Sequence, residues 1–100
     1  MPVFRLSTEP VFPAAELADD NGLLAVGGDF STERLLCAYY SGIFPWPRED
    51  MPLMWFSPAQ RFVLFPSEIH IGRSLRKNLK ENKFRIAFDT CFVEAMRECQ

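Results

Sequence analysis

No stretch of this 100-residue chain approaches the roughly 20 consecutive apolar residues that a helix needs to cross a bilayer, so a soluble protein without a membrane partner is expected. Residues 1 to 20 have no basic start followed by an apolar block, which argues against a secretory signal and leaves the cytoplasm as the expected location. Cysteine is sparse: Cys37, Cys91 and Cys99 cannot all pair within one chain, and none stands in a Cys-x-x-Cys or Cys/His cluster, so no metal site is expected. Cys37, among Leu35, Leu36 and Ala38, reads as a buried small hydrophobe with no base near it in sequence, and no redox role is assigned. The single histidine, His70, has nothing beside it that resembles a Ser or Cys nucleophile or an orienting carboxylate, and reads as structural rather than as a general base. Gly27-Gly28-Asp29 lacks the Lys of a phosphate loop and the spacing of a dinucleotide fingerprint, and reads as a tight turn.

What the chain does have is concentrated between Asn21 and Pro66. There NGLLAVGGDFS, GIFPWP and MWFSP crowd Gly, Pro and aromatic residues together. These segments interrupt every apolar period with backbone-special residues and leave Tyr39, Tyr40, Phe44, Trp46, Trp55 and Phe56 on turns or turn edges, a pattern that suggests an aromatic-walled cleft. With 48% hydrophobic and 24% charged residues the chain is globular in composition, and its length suffices for one modest core.

The net charge of -2 conceals an asymmetry. Residues 1 to 60 carry three basic and eight acidic side chains, whereas residues 61 to 85 carry seven basic (Arg61, Arg73, Arg76, Lys77, Lys80, Lys83, Arg85) and two acidic (Glu68, Glu81). A local field of that sign attracts polyanions even when the whole chain is slightly acidic.

Pro10, Phe12 and Pro13 predict an extended lead-in, Ala14 to Ala18 a short helix, and Leu23 to Val26 a short apolar segment after the Asn21-Gly22 turn. Ser31 is placed to cap a helix from Thr32 to Tyr40, with Glu33 in its first turn, Gly42 beyond its end, and Leu35, Leu36 and Tyr39 on its buried face. Pro45, Pro47 and Pro52 predict a loop from Phe44 to Met51, with Trp55-Phe56 the approach to Ser57-Pro58. Arg61 to Phe65 and the alternating Phe84 to Phe88 read as strands. A helix through Gly72 to Lys80 sets Ile71, Leu75 and Leu79 in one arc and Arg73, Arg76, Lys77 and Lys80 opposite. A second helix from about Thr90 turns Phe92, Ala95, Met96 and Cys99 inward and shows no stop signal before Gln100, which reads as a longer protein cut short. An incomplete second domain predicts exposed apolar surface and self-association.

In order and spacing, NGLLAVGGDFS (21 to 31), AYYSGIFPWP (38 to 47), PLMWFSP (52 to 58), FVLFPSEIHIGRSLRK (62 to 77) and FRIAFDTCFVEAMREC (84 to 99) resemble the bacterial leucyl/phenylalanyl-tRNA–protein transferases. The resemblance implies an enzyme that moves Leu or Phe from aminoacyl-tRNA to the N-terminal Lys or Arg of an acceptor protein, marking it for degradation. No metal or organic cofactor is implied. The implied fold is α+β: a small N-terminal domain over residues 1 to 60, and over 61 to 100 the opening elements of an acetyltransferase-like (GNAT) domain. Family catalytic groups and most of the Leu/Phe side-chain pocket lie beyond Gln100 by this comparison, so no catalytic residue is named and the 100-residue chain alone is expected to be inactive.

The resemblance assigns the terminal adenosine of the aminoacyl-tRNA to Tyr39 and Trp46, and the tRNA acceptor stem to Arg73, Lys77 and Lys80. Stacking of a base on an aromatic ring needs no particular sequence, which suits a site reading a common tRNA end. Phosphate contacts from one helix face add affinity that is likewise sequence-independent. The residues by themselves leave plainer readings open: aromatic packing for Tyr39 and Trp46, and a solvated helix face for the cations. Trp55 reads first as packing and second as a pocket wall. Three departures stand out. Pro47 replaces a common aromatic, Ala59-Gln60 a more usual Asp-Pro, and Glu81 interrupts the basic edge. A second function remains open, a small interaction module whose aromatic loops grip a peptide.

Overall fold

The computed structural model describes residues 3–100, which divide into two compact units, a first ending at Phe62 and a second spanning Val63–Gln100. In the first unit, strands β1 (Phe4–Arg5), β2 (Leu23–Val26), β3 (Phe44–Pro45) and β4 (Met54–Phe56) form one sheet in the order β1-β2-β4-β3. β1 lies parallel to β2, and the other two pairings are antiparallel. Helix α1 (Thr32–Tyr40) connects β2 to β3. The second unit holds helices α2 (Arg73–Lys80) and α3 (Phe92–Glu98), preceded by a 3₁₀ turn at Pro66–Glu68. The expected α+β class is what the elements show.

Helix α1 starts and stops where its sequence directs. The Ser31 side chain accepts from the Arg34 N–H at 3.3 Å, satisfying one of the orphan donors of the first turn. At the other end Gly42 takes φ +74°, Ile43 N–H donates to Ala38 O at 2.8 Å, and Gly42 N–H donates to Tyr39 O at 3.2 Å. This is the Schellman closure, and it depends on a residue that tolerates left-handed backbone. Ile43 and Ala38, brought together by the closure, both belong to the core with Leu24, Ala25 and Trp55.

Trp55 organises that core. It is 0% exposed, meets Phe12 edge-on with centroids 4.9 Å apart and Phe30 at 6.3 Å, and donates its indole N–H to Gly27 O at 2.8 Å. The packing reading of Trp55 is thus the one the structure adopts. Opposite it, β2 is bulged: Leu23 pairs with Phe56 and Ala25 with Trp55, leaving Leu24 as the extra residue.

Five expectations need correction. The buried face of α1 is Arg34 and Ala38, with Leu35 half-buried, while Leu36 and Tyr39 are exposed. The reason is that the Arg34 guanidinium takes the inward position. It donates to Ser7 O at 2.6 Å and Glu9 O at 3.0 Å and lies 3.4 Å from an Asp29 carboxylate oxygen. Gly28 leaves the space, since a Cβ there would sit 3.0 Å from Arg34 Nε. Second, Ala14 to Ala18 contains only a 3₁₀ turn, Ala15–Leu17. Third, the proline-rich loop contains β3, and Trp55-Phe56 is part of a strand, because β3 is an edge strand and the Pro45 nitrogen faces away from β4. Fourth, 61 to 65 and 84 to 88 are not strands. The apolar run at 62 to 65 and the alternation at 84 to 88 find no neighbouring strand among the described residues of the second unit, and an isolated strand has nothing to satisfy its backbone. Fifth, Phe92, Ala95, Met96 and Cys99, expected inward, are all exposed, since no residue of the second unit is buried.

The turn that feeds β2 makes one measurable demand. Gly22 has φ +85°, its carbonyl accepts from Ser57 N–H at 2.7 Å, and an added Cβ would lie 2.9–3.1 Å from Pro58. Gly22→Ala should therefore cost about 2–3 kcal/mol in urea denaturation, strain and overlap together. Gly72→Ala, with ordinary φ and open space around it, should stay within about 0.5 kcal/mol of the parent.

Candidate functional site

Strand side chains alternate between faces, so Trp55 entering the core sends Met54 and Phe56 to the opposite side of the sheet. Register then sets their partners. Phe44 stands across from Phe56, and Trp46 N–H donates to Met54 O at 3.0 Å, which brings Trp46 opposite Met54. The Phe44 and Phe56 rings stack with centroids 6.3 Å apart and planes 26° apart. These four side chains, with Arg48 and Pro58, line a cavity of about 420 Å³, within the range of small-ligand sites. Trp46 is 60% exposed, so part of its ring is available to a ligand.

Arg61 braces this cavity from behind. Its guanidinium lies 5.5 Å over the Phe44 ring, its Nη2 donates to Gly42 O and, at 3.1 Å, to Ser57 Oγ, and its Nε donates to Pro58 O at 3.2 Å. Ser57 Oγ in turn donates to Gly42 O at 3.1 Å. The exit of β4 is thereby tied to the turn between α1 and β3, next to the strands that carry Phe56 and Phe44.

Of the two residues expected at the adenosine, Trp46 lines the cavity and Tyr39 does not. Tyr39 projects from the last turn of α1 and is 64% exposed. Phe44 and Phe56 line the cavity, as the expected aromatic-walled cleft implies, whereas Met54 and Arg48 were missed as site residues. The signal for their shared face was the period-two pairs Phe44/Trp46 and Met54/Phe56, hidden by the prolines between and beside them.

In the second unit Arg73, Lys77 and Lys80 share a shallow groove of about 320 Å³ with Arg76 and Glu81. The i, i+4, i+7 spacing brings the three expected cations together, and Arg76 joins them as a fourth. Among the described residues no ion pair neutralises any of them; the one ion pair is Arg34–Asp29. Across α2, Leu75, Leu79, Phe84 and Ile86 line a separate apolar groove, so the helix is two-sided as projected. Asp29 is held below the usual carboxylate range by its hydrogen bonds with Ser31, whose N–H donates at 3.0 Å, and by the Arg34 charge.

Two family models match the chain. One, described as the leucyl/phenylalanyl-tRNA protein transferase N-terminal domain, covers residues 28–59, and the other, leucyl/phenylalanyl-tRNA protein transferase, covers residues 63–100. The chain belongs to this family. Proteins named leucyl/phenylalanyl-tRNA–protein transferase are similar to it over 99% of its length: that of Syntrophobacter fumaroxidans at 54% identity, of Magnetococcus marinus at 51% and of Anaeromyxobacter sp. strain K at 48%. The chain spans 42–43% of the length of these relatives. Within the family match, the first region contains every residue lining the aromatic cavity and the second contains the whole of α2. No helix among the described residues is long and apolar enough to cross a membrane.

Proposed function

We propose that this chain forms the aminoacyl-tRNA-facing part of a cytoplasmic enzyme that transfers Leu or Phe from aminoacyl-tRNA to the N-terminal Lys or Arg of an acceptor protein, tagging it for degradation under the N-end rule. Residues 1–60 serve as a binding domain and residues 61–100 open an acetyltransferase-like (GNAT) domain. No cofactor takes part in this reading. The observation that carries it is the aromatic cavity with the half-open Trp46 ring, a stacking platform for the terminal adenosine. Tyr39 remains a second contact to that adenosine, reaching it from α1. The groove of Arg73, Arg76, Lys77 and Lys80 supplies the phosphate contacts to the acceptor stem. The relatives carry a transferase name, which favours this reading over a peptide-gripping module.

The test is transfer of labelled leucine from leucyl-tRNA to a peptide beginning with Arg, with the full-length protein and its Arg73→Glu/Lys77→Glu variant. The variant should bind leucyl-tRNA at least about tenfold more weakly at low salt, and the slope of log affinity against log salt should shrink by roughly two phosphate contacts. Unchanged affinity and slope would sink the proposal. The 100-residue chain alone should show no transfer, and activity in it would place the catalytic groups within residues 1–100.

A further inference from the structure

The aromatic cavity holds one group that stacking does not require. Arg48 stands on its lining with Phe44, Trp46, Met54 and Phe56, and among the described residues it makes no ion pair. Glu49 and Asp50 follow it in the turn that Met51 N–H closes onto Arg48 O at 3.3 Å, yet neither carboxylate lines the cavity. The second guanidinium nearby, that of Arg61, is already committed to Gly42, Ser57 and Pro58 and to the Phe44 ring. Arg48 is therefore the cation with free donors beside an open aromatic surface. An occupant that matches both features has a flat, polarizable ring and an anion one sugar away.

We infer that Arg48 is a phosphate-binding residue, holding the 5′-phosphate of the nucleotide whose base stacks on Trp46, the phosphodiester that joins the terminal adenosine to the rest of the tRNA. The inference rests on the adenosine reading of the cavity and adds a contact and a selectivity to it. The planar fork of a guanidinium pairs with two phosphate oxygens at once, which fixes the direction of the strand as well as adding affinity. Stacking alone accepts a base in either sense. The pair presents the terminal nucleoside with its phosphate toward Arg48 and its aminoacylated ribose away from it.

Adenosine and adenosine 5′-(methyl phosphate), which carries the single charge of a phosphodiester, are the probes, titrated by NMR against the full-length protein. The parent should prefer the phosphate ester about five- to tenfold. Arg48→Ala should abolish that preference while leaving adenosine affinity within about twofold, Arg48→Lys should keep part of it, and Trp46→Ala should weaken both ligands. In the transfer reaction Arg48→Ala should raise KM for leucyl-tRNA severalfold with kcat unchanged. Equal affinity for the two probes, a preference that survives Arg48→Ala, or an unchanged KM would overturn the role of Arg48 while adenosine binding keeps the cavity's assignment. Failure of both probes to bind would overturn the two together.

Discussion

Trp55→Ala will destabilise the first unit by about 3–5 kcal/mol, whereas Trp46→Ala will leave stability within about 0.5 kcal/mol and weaken aminoacyl-tRNA binding by roughly 5- to 150-fold. The two tryptophans stand nine positions apart and belong to opposite sides of one sheet. Trp55 is enclosed by Phe12 and Phe30, and its removal leaves a void where the sheet, the lead-in segment and the Gly27 carbonyl converge. A loss of that size is a large fraction of what a small domain has. Trp55→Phe restores most of the ring but leaves Gly27 O without its donor, so it should cost about 1–3 kcal/mol. Trp46, 60% exposed, has little to lose in packing, and under the proposed function its stacking would contribute only with aminoacyl-tRNA present. Urea denaturation followed by circular dichroism reads the first half of the prediction, and KM for leucyl-tRNA reads the second. If Trp46→Ala instead lowers stability as much as Trp55→Ala, the outer face is core and the cavity assignment fails.

Arg34→Ala will cost about 2–4 kcal/mol in the same denaturation assay, more than any other single charge removal in the chain. Arg34 is 0% exposed, reaches back 25–27 residues to the carbonyls of Glu9 and Ser7, and lies 5.6 Å over the Phe12 ring. It thus clamps the segment after β1 against α1. The clamp is incompletely satisfied, since Nη1 is buried without a hydrogen-bond partner and Nε meets only the Asp29 carboxylate, as an ion pair at 3.4 Å, so desolvation offsets part of what the two carbonyl bonds contribute. Arg34→Met, which keeps the stem and discards both the bonds and that desolvation penalty, should therefore recover at least about 1 kcal/mol relative to Ala. Equal losses in the two variants would mean that the charge and its bonds, not the packing of the stem, hold the segment.

Local signals were legible where they are self-contained. The Ser31 cap, the Gly42 stop and the basic stripe of α2 all follow from contacts within a few residues, and the structure realises each of them. What was not legible depends on partners distant in sequence. Arg34 reads as an ordinary charged helix residue until Ser7, Glu9 and Asp29 surround it, and its burial rotates the helix face away from Leu36 and Tyr39. The alternation at 84 to 88 is a real strand pattern that lacks a neighbour among the described residues. In the cavity, Phe44, Trp46 and Phe56 were legible from the crowding of aromatics and prolines, while Met54 and Arg48 needed the β3–β4 register to bring them to the same face. The assignment of Arg73, Lys77 and Lys80 to one face needed only the helical period.

The place of Pro45 on β3 carries one more consequence. Trp46 directs its N–H to Met54, and the register makes Phe44 its equivalent one step earlier, so Pro45 occupies the position whose donor would point outward from the sheet. Pro47 takes the next such position along the chain. A fifth strand arriving at this border meets acceptors without donors and cannot complete a ladder. The sheet is closed to growth beside the face that carries the aromatic cavity, which removes backbone augmentation as a way of capturing peptides there.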